Sequence, residues 1–250
     1  MNSAQNQPQV TKSNYIGIFL VALSTLMYEI LLTRIFSVTM GYHFAFMAVS
    51  LAMFGMTVGA IIVYIFPHKF PQEKINTILT RQALYFSLAT ILSFLIHLFI
   101  PFIHGMSLFG MAVTAFTYAE ISVPFVFSGI CISLLLTRFP KSVNKLYAAD
   151  LIGASLGCIL VVVVLNVSGG PTGVFITALF SAAAAYLFNR NSELKTSIGK
   201  GIAVFSLVIL VFAVFHTVLV QKHEPLLRLF WVRGEWAEKP LYENGIHSAA

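Results

Sequence analysis

Residues 146–188 read LYAADLIGASLGCILVVVVLNVSGGPTGVFITALFSAAAAYLF. Two apolar runs, Leu146–Val167 and Gly173–Phe188, flank a breaker, Ser168-Gly-Gly-Pro-Thr172, and the only ionisable carboxylate in the stretch is Asp150. About 20 mostly apolar residues, each rising about 1.5 Å, cross the roughly 30 Å hydrocarbon core of a bilayer. The first run meets that length, and the second is short enough to leave little room for tilt. Neither alternates polar with apolar residues as barrel strands do, so both read as helices.

Five more runs of the same kind lie on either side: Tyr15–Thr33, Phe44–Phe66, Leu84–Ile103, Leu108–Leu136 and Ile202–Val220. The fourth run of the chain, Leu108–Leu136, is long enough to tilt and carries Pro124, a helix-kinking residue. The expected fold is an all-α, polytopic transmembrane helix bundle of about seven spans. It divides into a polar N-terminal tail (1–14), a membrane domain (15–220) and a short C-terminal tail (221–250). Composition agrees: of 250 residues, 58% are hydrophobic and 10% charged, against about a quarter charged in soluble domains. Such a chain could not cover its surface with polar groups in water. The tail 1–14 precedes an apolar run with no small-residue cleavage site behind it, so that run is expected to stay in the mature protein as a span.

The formal net charge of +6 resides in the gaps between runs. Lys69, Lys74 and Arg81 lie in 67–82, Arg138, Lys141 and Lys145 in 137–145, and Arg190, Lys195 and Lys200 in 189–201. The alternate gaps, His104–Ser107 and Ser168–Thr172, have neither Lys nor Arg. Positive-inside bias places the basic loops, and the N-terminus with Lys12, in the cytoplasm. The partner implied is the lipid bilayer with its anionic headgroups. Nucleic acid is excluded, because no basic cluster is interleaved with aromatics. Seven spans then put the tail outside, whereas a re-entrant first run, crowded by Glu29 and Arg34, would return it to the cytoplasm. Trp231 and Trp236 suit a headgroup-level belt.

Ionisable groups inside spans are few, and each is a functional candidate because burying it costs roughly 3 kcal/mol on insertion scales. Glu29 and Arg34 are about 140° apart on a helix, so they do not pair well with each other. Both could instead snorkel to an interface. Glu120 precedes Pro124 by one turn, and the proline leaves the Glu120 carbonyl without its amide donor. A carboxylate, the Ser122 hydroxyl and a loosened backbone at one depth suit an ion or proton site. The alternative is a cross-bundle pair with Arg34. Asp150, near the start of its run, also fits a helix N-terminus on electrostatic grounds. Gly55/Gly59 and Gly153/Gly157 form GxxxG faces for close helix packing, within the chain or in a homo- or hetero-oligomer.

Cys131 and Cys158 sit in apolar runs with no CxxC spacing. His43, His97, His104 and His216 make no HExxH or i,i+4 pair, so no metal is expected. No GxGxxG after a strand and no Walker lysine occur, so no cofactor is expected and the chain does not read as an enzyme by itself.

Three stretches together, Tyr28-Glu-Ile-Leu-Leu-Thr-Arg-Ile-Phe-Ser-Val38, Tyr42-His-Phe-Ala-Phe46 leading to Gly55 and Gly59, and Leu146-Tyr-Ala-Ala-Asp-Leu-Ile-Gly-Ala-Ser-Leu-Gly157 followed by Gly169-Gly-Pro171, resemble the N-terminal membrane region of bacterial membrane-bound spermidine-synthase-like proteins. The resemblance covers roughly residues 15–240. It implies an inner-membrane bundle joined in those proteins to a polyamine-aminopropyltransferase-like domain, whose cofactor loop and acidic substrate residues have no matching positions here. Residues 230–244 look like the linker into that domain, as in a truncated chain. On this reading Glu29, Glu120 and Asp150 offer counter-charges to amines, and Arg34 holds one carboxylate ionised. Two further expectations stand beside it: a stand-alone small-solute or ion transporter, and a structural membrane subunit.

Overall fold

The computed structural model describes residues 10–100, 108–192, 196–227, 229–232 and 235–236, with backbone only at 196, 197, 232, 235 and 236. The apolar runs become six helices: α1 (Lys12–Thr39), α2 (Tyr42–Ile65), α3 (Ile75–Phe99), α4 (Leu108–Arg138), α5 (Val143–Asn189) and α6 (Thr196–Gln221). All six are long and apolar enough to cross a membrane. Their outer faces carry large bare hydrophobics such as Phe46, Phe54, Leu108, Ile152 and Val208. No water-soluble surface tolerates that, whereas lipid does. The chain has the fold of a multi-pass membrane protein.

Straight, the 47-residue α5 would measure roughly 70 Å, more than twice the hydrocarbon thickness. It is not straight. Gly169 has φ 74° and ψ 172°, a region open essentially to glycine alone. Pro171 starts the next arm, where a missing N–H costs nothing. Contacts along α1 give the directions of the two arms. In 143–168, Gly153 meets Phe19 and Gly157 meets Leu23, so this arm runs parallel to α1. In 170–189, Gly170 meets Ile35, Gly173 meets Leu31 and Phe188 meets Gly17, so this arm runs back. Gly173 also faces Val164 across the fold. The expected loop 168–172 is thus compressed to one non-helical residue, and six helices make seven passes.

The two ends of the bundle differ. At one end, Gln72 Nε2 donates to the Arg138 carbonyl (2.8 Å), Asn76 Nδ2 to the Asn191 carbonyl (3.1 Å), and Asn191 Nδ2 to Thr11 Oγ1 (2.8 Å). These bonds gather the three basic loops and the start of α1. The expected loop 67–82 is shorter than its charge pattern suggests, because α3 begins at Ile75 and takes in Arg81. Lys195 lies outside the described residues. At the other end are the α1–α2 turn, with Gly41 at φ 113°, the fold at Gly169, and the chain after Gln221. There the Leu227 N–H donates to His216 Nε2 (2.9 Å) and Phe230 stacks on Phe99 (6.0 Å between centroids). A two-residue antiparallel pairing, β1 (Trp231–Val232) with β2 (Glu235–Trp236), adds a small strand feature to a fold expected to be all helical. Residues 237–250 lie outside the described residues.

α1 is no re-entrant stub. It traverses the bundle as one 28-residue helix, longer than the expected 15–33, because Ile35, Phe36 and Thr39 are also buried. It packs against α2, α4 and both arms of α5. Where helices touch, small residues let backbones meet. Gly55 and Gly59 face Ser122–Ile130 of α4, and Gly129 answers against Met56 of α2. Gly153 and Gly157 face α1. Both GxxxG faces are therefore filled within the chain, and the small-residue route to an oligomer is closed at these two faces. Hydroxyls add interhelical ties: Ser87 Oγ to the Ala178 carbonyl (2.7 Å), Ser181 Oγ to the Ala83 carbonyl (2.8 Å), and Thr25 with Ser128.

This arrangement fixes a topological outcome. With Cys131 and Cys158 replaced by alanine, single cysteines are introduced at Ser142 and at His223. In sealed vesicles, a membrane-impermeant maleimide is expected to reach one of them and not the other. Labelling of both from one face would refute the fold at Gly169.

Candidate functional site: a buried carboxylate between α1, α3 and α4

α4 turns Glu120 inward, toward the bundle rather than the lipid. Its residue is only 9% exposed, and neither carboxylate oxygen is in a formed hydrogen bond, the Ser93 hydroxyl of α3 being its neighbouring donor. The anticipated pair with Arg34 does not form, because Arg34 is exposed on α1. Around the carboxylate stand hydroxyls that the sequence reading had not singled out. Tyr28 of α1 is fully buried and stacks on Phe125 at 5.3 Å. Its phenol donates to Ser93 Oγ of α3 at 3.4 Å. One turn earlier on the same face of α3, Thr90 Oγ1 is buried without a partner. Ser93 and Glu120 share the wall of a groove of about 380 Å³ between α3 and α4. The rest of that wall is apolar: Leu88, Leu92, Ile96, Val123 and Phe127, with Tyr85.

Chemically, this is a buried carboxylate and two hydroxyls behind an apolar groove wall. An unpaired carboxylate in a low-dielectric site is expensive, and a bound cation or proton is what relieves the cost. The proline one turn on leaves the Glu120 carbonyl as a further acceptor at the same depth.

The other sequence candidates are not brought to this site. Glu29 follows Tyr28 but points about 100° away around α1 and is half-buried. Asp150 is half-buried in the 143–168 arm, one turn before Gly153, with one carboxylate oxygen unpartnered. It sits toward the basic end, whereas Glu120 is some five turns of α4 away from Arg138 at that end. The four residues do not form one cluster.

Of the histidines, His43 is exposed beside Tyr42, and His104 lies outside the described residues. His216 is fully buried. Because its Nε2 accepts from Leu227 N–H, its proton is on Nδ1, which donates to Thr172 Oγ1 at 2.7 Å. It is thus a structural clasp for the tail. His97 lines a small cavity at the tail end with Thr39, Thr114, Thr117 and the tail residues Leu229–Trp231. Among the described residues, no three His, Cys, Asp or Glu side chains gather as a metal cage requires.

Comparison with protein-family models, with curated proteins and with solved structures finds no match for this chain.

Proposed function

We propose that this chain is a membrane-embedded binding or carrier bundle that takes a small organic cation, an aliphatic amine, at Glu120. The observation that carries the reading is the buried carboxylate with neither oxygen in a formed hydrogen bond, set behind the apolar wall of the groove between α3 and α4. An ammonium supplies the missing charge and up to three donors, for which the two carboxylate oxygens, Ser93 and Tyr28 are acceptors. The apolar groove wall suits the methylene chain of the amine. Positive-inside bias supports an inner-membrane orientation with the basic loops and N-terminus in the cytoplasm and the tail on the other face.

The motif resemblance to spermidine-synthase-like membrane regions supports the same ligand class, and it offers a second reading of the chain as the anchor of such a protein. That reading sits less well with the two ends of the bundle. A cytosolic adenosyl-dependent domain following the tail would demand that the basic loops face outward. The structural-subunit reading loses its main support, since both glycine faces are used internally.

The test is equilibrium binding of radiolabelled putrescine and spermidine to the purified chain in lipid nanodiscs. Saturable binding is expected, and Glu120→Gln should weaken it by about tenfold or more, the loss of one charge-assisted contact, with the melting temperature kept. Equal binding by the variant, or none by the parent chain, would sink the proposal.

A further inference from the structure

The hydroxyl and imidazole groups above Glu120 form a column rather than a scatter. On α3, Thr90, Ser93 and His97 fall at i, i+3 and i+7, one helix face. On α4, Thr117 and Glu120 are three apart, and on α1, Tyr28 and Thr39 line the same interior. The column rises to the cavity beneath the tail.

His97 is 6% exposed. Thr39 Oγ1 gives its single proton to the Ile35 carbonyl (2.9 Å), so in the 3.3 Å contact with His97 Nε2 it can only accept. Nε2 therefore carries the imidazole proton, and Nδ1 is a bare acceptor, buried and without a partner. The cavity His97 lines has about 10 Å³ open to the centre of a water, room for roughly one molecule. From His97 down to Ser93 is about 6 Å of helix rise, and from Thr117 down to Glu120 about 4.5 Å. A water beside His97 would stand about one turn of α3 above Ser93, which Tyr28 already touches. In the other direction the column ends at the Thr25–Ser128 pair. Below that pair the buried hydroxyls Ser24, Thr80, Ser87 and Ser181 each spend their one proton on a backbone carbonyl, and Leu79, Phe86, Ile130, Leu134 and Leu135 fill the space between them with apolar side chains.

We infer that Glu120 exchanges its proton with the tail-capped end of the bundle only, through Ser93, Tyr28 and a water held by His97. This rests on the reading of Glu120 as the working carboxylate and adds the side from which its proton comes. Proton and ammonium compete for one carboxylate, so the relay makes amine release responsive to acidity at the tail face. The titratable groups facing Glu120 are Tyr28 from α1 and Tyr85 and His97 from α3. α2 contributes none at this depth, and α5 has Lys145, Tyr147, Asp150 and Tyr186 toward the basic end and Cys158 exposed on its outer side.

The probe is dicyclohexylcarbodiimide, an apolar reagent for protonated carboxyls. The acid O–H adds across one N=C bond and the adduct rearranges to an N-acylurea, with every atom retained and nothing released. The full chain is reconstituted in uniformly oriented proteoliposomes, pH is set separately on each face, and the adduct at Glu120 is counted by mass spectrometry. Raising pH at the tail face by about two units is expected to slow labelling by roughly tenfold, and the same change at the basic face to leave it unaltered, as a one-sided relay requires. His97→Phe should abolish the response to tail-face pH while amine binding persists. Thr39→Val, nearly isosteric, removes the acceptor that holds the His97 proton on Nε2 and repeats the test if the histidine variant does not fold. Labelling that follows the basic face or both faces equally, no labelling at any pH, or an unaltered response in both variants would overturn the relay. Amine binding that still depends on Glu120 would leave the proposed function standing in each of those cases.

Discussion

Gly153→Leu is expected to prevent the bundle from assembling. The Cβ of any replacement at this position would collide with the backbone carbonyl oxygen of Phe19 and lie 2.9 Å from its carbonyl carbon. Those atoms belong to α1, the helix that packs on α2, α4 and both arms of α5. A flexible side chain could swing away, but helix backbone cannot, so α1 and the 143–168 arm must separate. Separation also strips Gly157 from Leu23, where a Cβ would come within 2.6 Å of the Leu23 carbonyl oxygen. Overpacking a core costs about 1–3 kcal/mol where side chains yield, and more where they do not. We expect a loss of about 3 kcal/mol or more, read as a lowered midpoint in a mild-detergent-to-SDS unfolding titration. Gly153→Ala should show a smaller loss of the same sign. A leucine variant as stable as the parent would mean that α1 and α5 are not in backbone contact.

Gly169→Val is expected to scramble topology as well as stability. Valine at φ 74°, ψ 172° is strained by about 1–3 kcal/mol, and its β-branch makes it worse than alanine there. The chain relieves the strain by making 143–189 a straighter helix, which at roughly 70 Å cannot stay within one bilayer beside α1. Some molecules then deliver α6 and the tail to the wrong face. A cysteine at His223 should become labelled from both sides of sealed vesicles, while one at Ser142 keeps its single side. If the His223 cysteine stays one-sided and the protein is as stable as before, Gly169 is not what reverses the chain.

Hydropathy alone made most of this architecture legible. Every run became helical, two of them as the arms of α5, and the Ser-Gly-Gly-Pro-Thr interruption did mark a reversal. Its tightness was not legible, because whether a glycine takes a positive φ or joins a loop depends on the neighbours it must clear. Helix ends were underestimated for a related reason. Arg34 looked like a boundary by charge, yet one turn of snorkelling leaves α1 free to continue to Thr39. Asn76 and Arg81 looked like loop by polarity, yet they occupy the first turns of α3, where bonds to Asn191 and water serve them equally well. The site was half visible. Glu120 stood out because a carboxylate in a span is rare. Tyr28, Thr90 and Ser93 did not, because buried hydroxyls in helices commonly bond their own i−4 carbonyl, as Thr25 does with Val21. Which hydroxyls meet a carboxylate is settled by the pairing of α1, α3 and α4, and no periodicity within one helix encodes that.

The position of α1 has a consequence in time. Of the six helices it is made before the rest, yet both arms of α5 that pack on it come much later, since Val143 follows Thr39 by roughly 100 residues, or about 5–20 s of synthesis at common rates. Through that interval the side of α1 that meets α5, at Gly17, Phe19, Leu23 and Leu31, must face lipid, translocon or another protein. The interval ends only when the hairpin at Gly169 slots both arms of α5 beside the waiting helix. Synthesis that stalls before that hairpin leaves a half-built membrane protein with one side of its central helix uncovered, the form that quality-control proteases act upon. The abundance of this protein in cells is therefore expected to depend on the pace of translation through residues 143–189.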